Sequence, residues 1–296
     1  MLSEYTKSFK TYKEQIQLLK SRGMIFNDEN KAENILEHIN YYRLSGYWLP
    51  FEEDHTTHKF KPNTKFESVL ELYNFDQKLR LCLLSAIEKI EVSIRSHFTY
   101  QLAKEYGSHP HLDSKNFRNF EYWKKDKEKL QQEITRSDEI FIKHHRKSYR
   151  EELPPIWSTC EVMTIGLLSR FYSNLESVDV RKSIAKAYKI RPDILNFWLK
   201  NLRLIRNYSA HHCRLWDRLF KDKIEPCNTD NLKNQLIPNS QAIYNSLVIL
   251  LYLIGIILPN DSFRDELQGL LLKNKQNLLQ MGFPDNWTDQ TIWKTI

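Results

Sequence analysis

The sequence predicts an all-α protein. Seven Gly and ten Pro in 296 residues leave few tight turns, and Leu, Ile, Lys, Glu and Asn are plentiful. One apolar stripe at helical spacing also runs for about 40 residues. A chain of this length forms either one large or two ordinary domains and buries a substantial core. The expected division is an N-terminal helical and aromatic segment over residues 1–62, then a helical domain over 63–296 with a charged insertion at 107–153.

The elements follow in order. Residues 5–22 carry Ile16, Leu18 and Leu19 among Lys and Gln, and Gly23 stands where a helix would stop. A second helix is expected from Asn27 or Asp28, carrying Ile35, Leu36 and Ile39. The run YYRLSGYWLPF (41–51) is broken by Gly46 and Pro50 and reads as an aromatic plug on the core, with Arg43 as its one residue open to a functional role. Residues 49–62 suit a short hairpin before Pro62. Thr64 and Glu67 have the spacing of a capping box for the long stripe Val69, Tyr73, Leu79, Leu83, Ile87, Ile90, Ile94, Phe98 and Leu102, which ends at Gly107. Beside that stripe Glu88, Glu91 and Arg95 share one surface. They form either a solvated, salt-bridged face or a polar lining opposite Arg206.

Residues 118–150 are highly charged and end in KHHRKSYR, where Lys143, Arg146 and Lys147 suit a phosphate backbone and Tyr149 offers a ring for stacking. An exposed helix end explains the same residues. Pro154 and Pro155 mark a break, and a strongly apolar helix is expected over 156–172. A shorter helix over 179–190 follows, and Pro192 suits a first helical position. Asn239 or Ser240 is the expected start of an apolar core helix, and residues 261–281 supply a last amphipathic one.

Composition narrows the function classes. The net charge of +7 favours a nucleic-acid partner only where the excess is localised. Cys82, Cys160, Cys213 and Cys227 form no CxxC pair and follow no secretory leader, so a reducing cytoplasm is expected. The apolar run 247–258 is far shorter than the roughly 20 residues a membrane span needs, so no membrane partner is expected. Adjacent His144 and His145 point to different sides of a helix, and the pair His55 and His58 lacks a neighbouring Cys. Neither a metal nor another cofactor is expected.

The one clear chemical constellation is RNYSAH (206–211), within PDILNFWLKNLRLIRNYSAHHCRLWDR (192–218). With residues 194–214 on one helical wheel, Ile194, Leu195, Trp198, Leu202 and Ile205 make a core-facing arc, and Arg203, Asn207, His211 and Arg214 gather opposite. His212 falls inside the apolar arc, as a core or interface histidine would. Arg206 and His211 stand some 140° apart on that wheel, so the helix bends or ends here, or a second copy completes the site. A histidine moves protons near neutral pH, an arginine holds phosphate and stabilises charge developing on it, and an asparagine orients either. That set suits attack of a ribose 2′-hydroxyl on its adjacent phosphate. A non-catalytic grip on RNA and a polar dimer seam are the competing readings.

RNYSAHHCRLWDR resembles the R-x4-6-H motif of HEPN domains, in the form found in the Abi-like (AbiD/AbiF) abortive-infection proteins of bacteria. YYRLSGYW, IEKIEVSIRSHFTYQLA and LPPIWSTCEVMTIGLLSRFY are similar to recurring blocks of the same family, in the same order. The resemblance implies a HEPN-like helical bundle with additional N-terminal helices, acting in phage defence as a metal-independent endoribonuclease of two facing copies. It implies Arg206 and His211 at the two fixed positions of the motif and Asn207 at its common polar position. Arg43, Arg95, Lys143, Arg146, Lys147, Tyr149, Arg203 and Arg214 are the expected RNA contacts. Relatives of AbiF are also linked to a small structured non-coding RNA, and the HEPN ribonucleases of type VI CRISPR effectors look similar. One motif per chain makes a homodimer the expected assembly.

Overall fold

The computed structural model describes residues 4, 8–221, 224, 232 and 234–294, so Cys227 and residues 5–7 of the first expected helix lie outside it. Among the described residues there are twelve α-helices and one two-stranded hairpin, and the protein is all-α. None of these helices is long and apolar enough to cross a membrane.

Helix α1 (Tyr12–Ser21) opens on a capping box, in which Thr11 Oγ1 accepts from the Glu14 N–H and Glu14 Oε2 accepts from the Thr11 N–H. It stops at Gly23, whose φ of 97° is a left-handed conformation open to glycine. Helix α2 (Glu29–His38) starts after Asp28, whose Oδ1 accepts from the Lys31 N–H, and buries Ala32 and Leu36; Ile39 lies just beyond its end.

The aromatic run departs from expectation, because Tyr41–Trp48 is itself a helix, α3, capped by Asn40. Gly46 does not break it: a mid-helix glycine costs about 1 kcal/mol, while burying Leu44, Tyr47 and Trp48 is worth several times that. Pro50 instead opens a short 3-10 turn over Leu49–Phe51. The plug reading holds for the side chains. Trp48 meets Tyr41 and Phe60 edge-on at 4.8 and 6.3 Å, and the Tyr47 hydroxyl donates to Asp76 at 2.7 Å.

The expected hairpin is present as β1 (Glu52–Asp54) and β2 (Lys59–Phe60), paired antiparallel. Helix α4 (Phe66–Tyr106) follows, 41 residues long, and ends at Gly107 with φ 81°. Its expected capping box does not form. Thr64 Oγ1 donates to the Lys61 carbonyl at 2.8 Å, and Glu67 accepts from the Asn27 N–H at 3.2 Å, so both side chains serve neighbouring turns. The chain divides into two compact units, residues 1–78 and 79–296, and the division falls within α4.

In the second unit α4 buries Leu79, Leu83, Ile87, Ile90, Ile94, Phe98 and Leu102. The charged stretch forms α5 (Phe120–Arg136) and α6 (Ile140–Ser148), and Ile142 and His145 are buried while His144 is exposed. The single apolar helix expected over 156–172 is two, α7 (Ile156–Val162) and α8 (Ile165–Asn174). Met163 is extended, and Thr164 caps the new start by accepting from the Leu167 N–H at 3.2 Å. Helix α9 (Val178–Lys186) leads to α10 (Pro192–Ala210), with Pro192 in its first turn as expected.

The core helix α11 (Tyr244–Ile257) starts later than Asn239 or Ser240. Asn239 has a φ of 59°, and the Asn245 amide both donates to and accepts from the backbone of Ile237 at 2.8 Å, fixing the turn that precedes the helix. Helix α12 (Phe263–Leu272) is followed by short 3-10 turns where the sequence suggested one continuous helix to residue 281.

Candidate functional site

Helix α10 carries the constellation. Leu195, Trp198, Leu199, Leu202 and Ile205 are buried, packing on α8, α9 and α11, so the apolar arc faces the core. The wheel nevertheless ends early. Ala210 is the last helical residue, and His211 is the C-cap with its N–H bonded to the Asn207 carbonyl at 3.0 Å. The Cys213 N–H reaches the Tyr208 carbonyl at 2.8 Å and the His212 N–H the Ser209 carbonyl at 3.1 Å, the paired bonds of a Schellman motif.

His212 occupies the left-handed position of that motif, with a φ of 56°. It is exposed and not a core histidine, because helical phase does not extend past the cap. After the cap, Arg218 stacks over the Tyr208 ring at 4.4 Å and donates to the Arg214 carbonyl at 2.6 Å, fixing the chain leaving the helix. Arg214 is half-buried in this turn, not on the wheel's polar stripe.

Arg206, Asn207 and His211 are all exposed. Among the described residues, no hydrogen bond engages their side chains. Arg206 lines an open groove of about 440 Å³ together with Leu84, Glu88, Glu91, Val92 and Arg95 of α4. The α4 face carries features of both readings, since Glu91 and Arg95 are paired along it and the same residues line the groove with Arg206. The Arg95 guanidinium bonds Glu91 at 2.5 Å and the Met163 carbonyl at 2.7 Å, and it approaches Glu161 at 3.9 Å. Burial pushes the Glu91 carboxyl above its ordinary value, with Arg95 and Arg206 opposing that effect. Glu161 was not among the sequence candidates. It is the one charge inside the apolar run IWSTCEVMT, and that isolation was a usable signal.

The remaining expected RNA contacts lie on three elements, α3, α6 with its cap Tyr149, and α10. Arg203 is half-buried, with its side chain 3.1 Å from where a Cβ on Gly166 would stand, so glycine lets the arginine stem lie against α8. Arg43 lies on α3 in the first unit. Lys143 pairs with Asp138 at 2.8 Å, and Arg146 donates to the Ile134 carbonyl. Lys147 is exposed, and Tyr149 stacks on His145 with ring centres 5.3 Å apart. Tyr149 already uses its ring within the chain, and Arg146 serves α5. Among the described residues no cluster of three or more His, Cys, Asp or Glu is arranged to hold a metal ion.

Fold and site together define an all-α protein that presents an Arg-Asn-His cluster at the end of an amphipathic helix, beside a groove lined by charges of both signs. No curated protein and no solved structure matches the chain. The model of the Abi-like protein family matches residues 34–217, more than half the chain, and the chain belongs to that family, which is associated with abortive-infection defence.

Proposed function

We propose that the protein is an anti-phage effector of the HEPN type that cleaves RNA without a metal, leaving a 2′,3′-cyclic phosphate and a 5′-hydroxyl. The observation that carries this reading is that Arg206, Asn207 and His211 are exposed at one helix end, beside the groove that Arg206 lines. The 2′-oxygen attacks phosphorus, the bond to the 5′-oxygen breaks, and the 2′ proton is removed while the leaving oxygen gains one. His211 acts as acid or base in these transfers, Arg206 stabilises the charge of the phosphorane-like state, and Asn207 orients them. Two copies face each other, since each chain carries one motif, and the protein acts in the cytoplasm.

Arg206→Ala and His211→Ala, made separately, test the assignment through RNA cleavage, RNA binding and toxicity. Each is expected to lower cleavage by about 10²-fold or more with binding retained. Full activity in both variants refutes the catalytic roles, and cleavage abolished by a chelator refutes the metal-free mechanism. Wild-type protein that binds one structured non-coding RNA tightly and never cuts would make it a non-catalytic RNA-binding protein.

A further inference from the structure

A second concentration of cations surrounds the start of α10. A cavity of about 530 Å³ there is lined by apolar Ile190, Pro192 and Ile194, by Lys182, Lys186 and Lys189, and by the pair Arg191 and Asp193. Two neighbouring charges are committed: Arg191 makes a two-pronged pair with Asp193 at 3.1 and 2.6 Å, and Lys182 reaches Asp179 at 3.4 Å. Among the described residues Lys186 and Lys189 make no ion pair, and both are exposed. Beyond this cavity a polar stripe runs along α10 through Asn196, Lys200, Arg203 and Asn207, spaced four, three and four residues apart and confined to about 60° of the helix. Lys200 is exposed and likewise makes no ion pair among the described residues. Pro192 to Arg206 spans about 21 Å at the helical rise, and Lys200 and Arg203 stand between the cavity and Arg206 along the helix axis.

We propose that this cavity and stripe are an accessory track for a nucleic-acid strand. A base rests on the half-buried Pro192 and Ile194, successive phosphates meet Lys186, Lys189, Lys200 and Arg203, and the strand leads to Arg206. That the strand is RNA and the one to be cut rests on the function proposed above; the track itself does not. Cations repeated over that length exceed the reach of one free phosphate. Lysines are point charges suited to successive phosphates, whereas carboxylates of an acidic peptide favour the arginine fork, and the arginine here already holds Asp193.

The test is binding of a labelled 2′-O-methyl RNA 12-mer, which lacks the free 2′-hydroxyl and so reports binding whether or not the protein cuts. The variant Lys186→Ala/Lys189→Gly removes two cations, and Lys189 has a φ of 53°, where glycine keeps the backbone without strain. Its affinity should fall about tenfold, and the slope of log affinity against log salt should flatten by about 1.4. Unchanged affinity and slope in a variant with a wild-type melting curve overturn the track. If the double variant does not fold, Lys200→Gln on the exposed face of α10 should flatten the slope by about 0.7, and no change overturns the proposal equally. Loss of polyglutamate binding with RNA binding intact overturns the nucleic-acid assignment. If the 12-mer shows these losses while unmodified RNA is never cut, the track stands and the nuclease reading falls.

Discussion

Acid should destabilise the second unit through His111. This residue lies in the turn Pro110–Leu112 after the long helix, is fully buried, and its carbonyl accepts from the Trp123 indole at 3.0 Å. Among the described residues no partner meets either ring nitrogen in hydrogen-bonding geometry. Burial pushes the imidazole from its ordinary 6.5 down to about 3; His109, with its ring 5.9 Å away, and Lys127 act in the same direction, while the Pro154 carbonyl opposes them. Below pH 6.5 the unfolded chain therefore binds a proton that the folded chain refuses. The stability contribution is intact above 6.5 and is lost progressively as pH falls towards 3. At about 1.4 kcal/mol per pH unit, lowering the pH from 7 to 5 costs about 2 kcal/mol from this group alone. Urea unfolding followed by circular dichroism at both pH values, in wild type and His111→Leu, isolates the contribution. Leucine has no charge to refuse, so the variant should lose about 2 kcal/mol less than wild type over that interval. Equal losses in the two proteins would refute the argument.

Two further substitutions probe other contacts. Gly282→Ala places a Cβ 2.6 Å from that of Ala242 on a backbone with φ 76°, and should cost about 2–4 kcal/mol, read from the urea midpoint. Glu91→Gln removes a carboxylate whose folded pKa is raised, so the wild-type contribution is fully present below the ordinary value of 4.5 and declines as pH rises through the folded pKa. The stability of Glu91→Gln relative to wild type should therefore improve with rising pH above 4.5, and the same variant should bind RNA more tightly by a few-fold because the groove gains positive charge.

Elements whose cause lies in their own side chains were legible. Helix α4 was readable because an apolar residue recurs every three or four positions from Val69 to Leu102, and the hairpin because it lies between Pro50 and Pro62. Misreadings fell where tertiary burial outweighs a local signal. Gly46 looks like a breaker until Leu44, Tyr47 and Trp48 are seen to be buried along α3. Thr64 and Glu67 have capping-box spacing, but each finds a partner elsewhere, which no local pattern announces. The groove was half legible: Glu88, Glu91 and Arg95 were readable as one face, but Glu161 comes from the last turn of α7 and the Met163 carbonyl from the break after it, inside a run that reads as one helix.

The end of α10 was the hardest feature to read, for a physical reason. Helices commonly close on a glycine in the left-handed position, yet no glycine stands between Gly166 and Gly255, so the sequence carries no such stop signal near residue 210. His212 takes that position, and a left-handed non-glycine residue costs about 1–2 kcal/mol. The two bonds of the Schellman motif and the stacking of Arg218 on Tyr208 offset that cost. The consequence reaches the mechanism. An angle of some 140° between Arg206 and His211 presumes one helix through both, whereas His211 is the cap and its direction is set by the turn. The wheel therefore no longer requires a second copy to bring histidine and arginine together, and the case for two facing copies rests on the single motif in each chain.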